Sequence, residues 1–143
     1  MRLEGKTAIV TGAGSGFGAG IAHKFLTEGA QVMLADINYD AARNVAEEYG
    51  GLGQKVDVAD GASVQHMIDK AVELMGGVDI LVNNAGVTHL PAPMEEVDEA
   101  DFDRVFAVNC KSVYYGAKAV LPLMKARGKG VILNVASTAG VSP

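Results

Sequence analysis

Lys6-Thr7-Ala8-Ile9-Val10-Thr11-Gly12-Ala13-Gly14-Ser15-Gly16-Phe17-Gly18 decides how this chain folds. Residues 6–10 are an apolar run of strand character, and residues 11–18 are a glycine turn. Ile21, Ala22, Phe25 and Leu26 then recur at helical spacing. Strand, glycine turn and helix in that order form the front half of a dinucleotide-binding unit. Gly12 lets the chain turn sharply as it leaves the strand. Gly16 leaves no side chain between backbone and pyrophosphate, and Gly18 lets the new helix pack close to the sheet. Free N–H groups at the helix start would face the phosphates, with the positive end of the helix dipole behind them. The spacing is G-x-x-x-G-x-G. A looser G-x-G-x-x-A through Gly14, Gly16 and Ala19 also fits and would shift the glycine roles by one position.

Outward from this turn the chain alternates. Apolar runs at 31–35, 54–58, 78–82 and 131–135 read as further strands. Amphipathic stretches between them read as helices at 39–49 and 62–75, and from about 98 to 126. Glycines follow most helices as stops. Asp98 is placed to cap the last helix, whose first turn is acidic; a bend is expected near Asn109, and Pro122 predicts a kink. Five apolar strands separated by helices require a parallel sheet covered on both faces. Right-handed crossovers make this an α/β, open, doubly wound, Rossmann-like sheet with expected order 3-2-1-4-5. Thr11, Asp36, Asp57, Asn83 and Ser137 then all fall at the carboxyl ends of strands, where such folds bind ligands.

The 143 residues suit one domain, with 49% hydrophobic and 20% charged residues, a balance that excludes a disordered chain. Net charge is −5 and no basic run stands out, so nucleic acid and anionic membrane are poor partners. The lone Cys110 has no disulfide partner within the chain, so a reducing compartment is expected; no signal peptide or spanning stretch is read, and the expected location is cytoplasmic. His23, His66 and His89 are scattered without metal-ligand spacing, so no metal site is expected. Cys110 reads as a small packed residue, the methionines as core, and Glu95, Glu96 and the acidic residues of 98–103 as a solvated face.

Asp36 lies twenty residues after Gly16, at the end of the second strand. An acidic side chain there accepts hydrogen bonds from an adenosine ribose and repels the extra phosphate of NADP. No Arg or Lys lies within 12–18 or directly after Asp36, so NAD is favoured. The alternative is an Asp36 that only caps a turn. Asp57 and Val58 fall where a third strand would reach the adenine, or where a strand-end Asp is simply solvated. Asn83 and Asn84 donate and accept at once and are suited to tying neighbouring strand ends together.

Taken together, Thr11-Gly12-x-x-x-Gly16-x-Gly18, Asn83-Asn84-Ala85-Gly86, Asn109 and Asn134-Val135-Ala136-Ser137-Thr138-Ala139-Gly140 resemble the short-chain dehydrogenase/reductase family. The resemblance runs over essentially the whole chain, with the motifs in order. It implies an NAD(P)-dependent oxidoreductase acting on alcohols or ketones. Gly12, Gly16 and Gly18 match the family's cofactor glycines, and Asp36 its ribose-binding acid. Asp57 and Val58 match the adenine contacts; Asn83, Ala85 and Gly86 match the motif that supports the sheet centre and borders the cofactor. Ser15, Phe17, Ile37 and Asn84 complete the candidate cofactor-binding set. Asn109 matches the helix asparagine that holds a water in the proton relay, and Ser137 the serine that orients the substrate oxygen. The resemblance also implies a homodimer or homotetramer, with the helix around 109–124 at a subunit contact.

The match then stops. The family's catalytic Y-x-x-x-K lies about one helix entry beyond that serine, and the chain ends before it. A tyrosine supplies the proton in ketone reduction, and a lysine ammonium lowers its pKa. The chain is therefore expected to be an N-terminal portion, inactive alone, with the sheet incomplete on its C-terminal side and the fifth strand exposed as an apolar edge. Tyr114-Tyr115-Gly116-Ala117-Lys118 has the literal spacing but precedes Ser137, and reads as a helix-surface pair. The rival reading is a non-catalytic nucleotide-binding module. A nucleotide-sugar epimerase or dehydratase is disfavoured by the glycine spacing and by 83–86.

Overall fold

A computed structural model describes residues 1–141; Ser142 and Pro143, the last two residues of the expected domain, lie outside the described residues. The strands are β1 (Thr7–Thr11), β2 (Gln31–Asp36), β3 (Leu52–Lys55), β4 (Ile80–Asn83) and β5 (Val131–Asn134). The helices are α1 (Gly16–Thr27), α2 (Tyr39–Tyr49), α3 (Gly61–Met75), α4 (Glu99–Phe106) and α5 (Ser112–Arg127). A π turn, Ala107–Lys111, joins the last two, so the expected bend near Asn109 is a widened turn inside one long helix. The helix continues through Pro122 to Arg127.

All the strands are parallel, in the order β3-β2-β1-β4-β5, as the alternation of strand and helix requires. Alternation along β1 feeds two cores. Ala8 and Val10 face Ala22 and Ala46, from α1 and α2. Ile9 faces Ile68 and Val120, from α3 and α5. Every residue of β1 is buried, which is why its sequence reads as a continuous apolar run instead of an alternating one. Small residues on the helix faces, such as Ala22, Ala42 and Ala46, bring α1 and α2 down onto the sheet.

At the amino end of the sheet Asp79 pins β1 to the rest. The Thr7 N–H and hydroxyl both donate to its Oδ2, at 3.0 and 3.2 Å. Arg127 stands 3.3 Å from its Oδ1. Burial alone would raise this carboxyl's pKa; the Thr7 N–H bond, the Arg127 guanidinium and Lys129 outweigh it and hold the group below its ordinary value.

Four expectations are corrected. The third strand is Leu52–Lys55, not 54–58, because its register is set by β2, with Met33 opposite Leu52 and Asp36 opposite Lys55. Asp98 sits at the start of α4 but its side chain makes no capping hydrogen bond. Cys110 is exposed, within the π turn, and is not a packed residue. Met33, Met67 and Met124 are core residues, but Met94 is exposed on the loop before α4.

Candidate functional site

Three strands deliver the site. β1, β2 and β4 end at Thr11, Asp36 and Asn83, so their carboxyl ends open into one cleft of about 450 Å³. Gly12, Ser15, Gly16 and Phe17 form one wall, with Asp36 and Ile37 beside them. Asp57 and Val58 close the β3 side, while Asn84, Ala85 and Gly86 form the β4 side. Eleven of the twelve candidate cofactor-binding residues therefore line one cavity; Gly18 is the exception.

Gly18 acts from behind. A Cβ there would overlap the Gly12 carbonyl and crowd Asn84 Nδ2 at 2.6 Å, so α1 starts as close to β1 as backbone allows. Gly12 has φ +64°, and a Cβ on it would lie 2.9 Å from Ala85 Cα. Packing thus requires glycine at Gly12 and Gly18, the two ends of the G-x-x-x-G-x-G spacing. Gly14 is also needed, for a different reason: its N–H donates to Asp36 Oδ2 at 2.9 Å, and a Cβ would lie 2.9 Å from that same oxygen.

Asp36 is held from both sides. Its Oδ1 accepts from the Asn38 N–H at 3.0 Å while Oδ2 takes Gly14. These bonds fix the carboxylate at the β2 end of the cleft and leave its remaining lone pairs for a ligand. The turn-capping role and the cleft-lining role coexist in one side chain. Asp57 is also locally anchored: its Oδ1 accepts from the Ala59 N–H at 2.9 Å, and its own N–H donates to Ser63 Oγ at 2.9 Å.

The amides after β4 tie strand ends together. Asn84 Nδ2 donates to the Thr11 carbonyl at 3.0 Å and to Gly12 at 3.3 Å. Asn83 Nδ2 donates to Asn134 Oδ1 at 2.9 Å, linking β4 to β5. The hydroxyl of Thr11 organises this junction. It accepts from the N–H groups of Asn84 and Ala85, at 3.0 and 3.1 Å, and stands 3.3 Å from the Val82 carbonyl as a donor. Sequence reasoning placed Thr11 at a strand end without this role; only the pairing of β1 with β4 reveals it.

The two candidate catalytic residues lie outside the cleft lining. Asn109 grips Val87 with both ends of its amide: Oδ1 accepts from the Val87 N–H at 2.8 Å and Nδ2 donates to the Val87 carbonyl at 2.7 Å. Ser137 caps a short 3₁₀ turn, Thr138–Gly140, accepting from the Ala139 N–H at 3.1 Å. Val87 and Val108, both missed in the sequence, line the cleft beside Asn109: Val87 is its hydrogen-bond partner and Val108 precedes it in the chain. Tyr114 is exposed, with the Lys118 ammonium 5.8 Å from its ring centroid, and neither residue lines the cleft. Among the described residues no cluster of metal-ligating side chains is present, and no helix is long and apolar enough to cross a membrane.

A parallel sheet in this order, with a glycine turn, a helix start and an anchored acid around one cleft, defines a dinucleotide-binding α/β domain. Its sequence matches the short chain dehydrogenase family over residues 6–143. The 4-formylbenzenesulfonate dehydrogenase of Comamonas testosteroni is 47% identical, matching 100% of this chain and 59% of its own. The sorbitol dehydrogenase of Cereibacter sphaeroides is 42% identical, over 98% of this chain and 56% of its own. Among solved structures, a 3-ketoacyl-(acyl-carrier-protein) reductase from Brucella melitensis complexed with NADH superposes with a TM-score of 0.90. It is 44% identical, over 96% of this chain and 59% of that one. A 7α-hydroxysteroid dehydrogenase complexed with NADH and 7-oxo glycochenodeoxycholic acid has a TM-score of 0.92 and 41% identity, over 99% of this chain and 57% of that one. The chain belongs to the short-chain dehydrogenase family, and it spans a little over half the length of these relatives.

Proposed function

We propose that this chain is the cofactor-binding portion of an NAD(H)-dependent oxidoreductase acting on an alcohol or ketone. The observation that carries this reading is the Asp36 carboxylate, held by Gly14 and Asn38 at the β2 end of the cleft, where an adenosine ribose is expected. A fixed anion there favours ribose hydroxyls and opposes a 2′-phosphate, so NAD is preferred to NADP. The residues present fit such a cofactor. The unpaired N–H groups at the start of α1 and the open backbone of Gly16 suit a pyrophosphate, and a Cβ on Gly16 would meet nothing of the protein within 4 Å. Asp57 and Val58 suit the adenine, while Ala85 and Gly86 suit the nicotinamide side.

The nicotinamide, when bound, supplies or takes up a hydride. The chain's part is to orient and to exclude. The Thr11 junction and the glycine contacts give the cleft a rigid floor. In this reading Ser137 orients the substrate oxygen and Asn109 holds a water of the proton relay, with the Tyr/Lys pair supplied by a further part of the protein. The chain alone is then inactive. The whole protein works as a cytoplasmic homodimer or homotetramer.

Titration with NADH and NADPH tests this. NADH quenching or fluorescence transfer should report binding at least about ten-fold tighter than NADPH, a difference of about 1.4 kcal/mol. Asp36→Asn should narrow that ratio, and no alcohol should drive NAD reduction. Equal binding of both nucleotides would sink the NAD preference. Turnover by this chain would sink its predicted inactivity. Tight NADH binding by a whole protein lacking turnover on any alcohol or ketone would favour the binding-module reading.

A further inference from the structure

The chain from Asn84 to Pro93 has no regular secondary structure, yet its first part forms a wall of the cleft through Ala85, Gly86 and Val87. A free backbone segment is a poor wall, because its fluctuations would be transmitted to whatever the cleft holds. At its inner end it is tied down by Thr11. Midway along, at Val87 and Thr88, it is gripped by two side chains from one helical stretch. Asn109 holds both polar groups of Val87. Arg104 Nη2 donates to the carbonyl of the next residue, Thr88, at 2.9 Å.

These two grips come from a stretch that is not one regular helix. In an uninterrupted α-helix residues five apart point about 140° away from each other. The π turn at Ala107–Lys111 widens the coil between α4 and α5 and takes up part of that angle. It also places Val108 in the cleft lining, between the two gripping residues in sequence. The competing partner of Arg104 is weak: Asp101 lies 3.7 Å away on an exposed face. The guanidinium's close bond is to the loop.

We infer that Arg104 is a positioning residue for the cofactor cleft, working with Asn109 through the π turn to hold the Val87–Thr88 backbone in place. This rests on the dinucleotide reading of the cleft. Arg104 touches no ligand in this scheme. It acts through Thr88 on Val87, and through Val87 on the cleft end beyond Gly86.

The test compares Arg104→Met and Arg104→Lys with the unaltered chain, measuring NADH dissociation constant, amide exchange at Val87 and melting temperature. Arg104→Met should weaken NADH binding about three- to ten-fold, the scale of one ordinary solvent-exposed hydrogen bond acting at one remove. It should speed exchange of the Val87 amide and leave the melting temperature nearly unchanged. Arg104→Lys, which keeps a donor, should recover part of the affinity. Unchanged exchange and affinity in Arg104→Met would overturn the proposal and leave the dinucleotide reading standing. Faster exchange with unchanged affinity would make Arg104 a structural tie only and overturn its positioning role. Failure of the unaltered chain to bind NADH would overturn the dinucleotide reading instead; the exchange rate at Val87 then decides for or against the tether by itself.

Discussion

β1 and β5 are both short parallel strands of one sheet, and they live in opposite surroundings. All of β1 is buried, between two helices on each face and a strand on each side. β5 has one neighbour, and Val131 and Leu133 are 58% and 47% exposed. α4 likewise buries none of its residues, and Phe102 and Phe106 on it are exposed, although α5, which leads into β5, is packed. The cleft opens at the carboxyl ends of β1, β2 and β4, on the β1 side of this contrast, and reaches the π turn only through Val108. The two regions share apolar composition, so hydrophobicity alone does not report burial: β5 has the residues of an inner strand with the exposure of an edge.

Truncating a side chain on each side gives the largest contrast. Leu81→Ala, in β4, empties a fully buried site and should cost about 3–4 kcal/mol, read by urea unfolding. Leu133→Ala, in β5, should cost well under about 1 kcal/mol. Equal losses would mean that β5 is covered in solution.

Removing one hydroxyl on each side gives a smaller contrast. Thr11→Val keeps the shape but leaves the Asn84 and Ala85 N–H groups without their acceptor, at about 1–3 kcal/mol, with weaker NADH binding. Ser137→Ala breaks one exposed turn bond and should stay within about 0.5 kcal/mol. A Ser137 loss as large as that of Thr11 would show that the 3₁₀ turn is packed against something.

The smallest effect is electrostatic. Glu28, beyond the end of α1, accepts from Lys24 Nζ at 2.7 Å and from the Arg2 N–H at 3.0 Å. These two bonds, the Lys24 one first, lower its pKa from 4.5 to about 2. A carboxyl lowered on folding stabilises the fold above its unfolded pKa and loses that contribution as pH falls through the folded value. The stability difference between the natural chain and Glu28→Gln should therefore be constant above pH 5 and shrink between about 4.5 and 2. A difference that persists undiminished at pH 2 would refute the ionic origin.

The sequence carried the strand order because four of the five strands are apolar runs, successive strands are separated by helices, and right-handed crossovers leave few alternatives. It carried the cleft because its glycines and acid follow the strand ends directly. It misplaced β3 because Val56 is apolar and buried, yet tucks into the core just past the strand, its N–H still bonded to the Asp36 carbonyl at 3.0 Å. It could not show Arg104 reaching Thr88 or Asn109 reaching Val87. Those pairs lie 16 and 22 residues apart, across a loop with no periodicity to read.

The strand order also sets a timetable for the growing chain. β1 is made first, and β2 follows within one helix and a turn, pairing Ala8 with Val32. Its other flank must wait for Ile80, which pairs with the same Ala8 from 72 residues further on. At about 5–20 residues per second, that flank of the most buried strand stays open for roughly 4–14 s on the ribosome. A nascent-chain binder aimed at extended apolar segments should therefore engage 7–11 during that interval and lose its hold once β4 emerges.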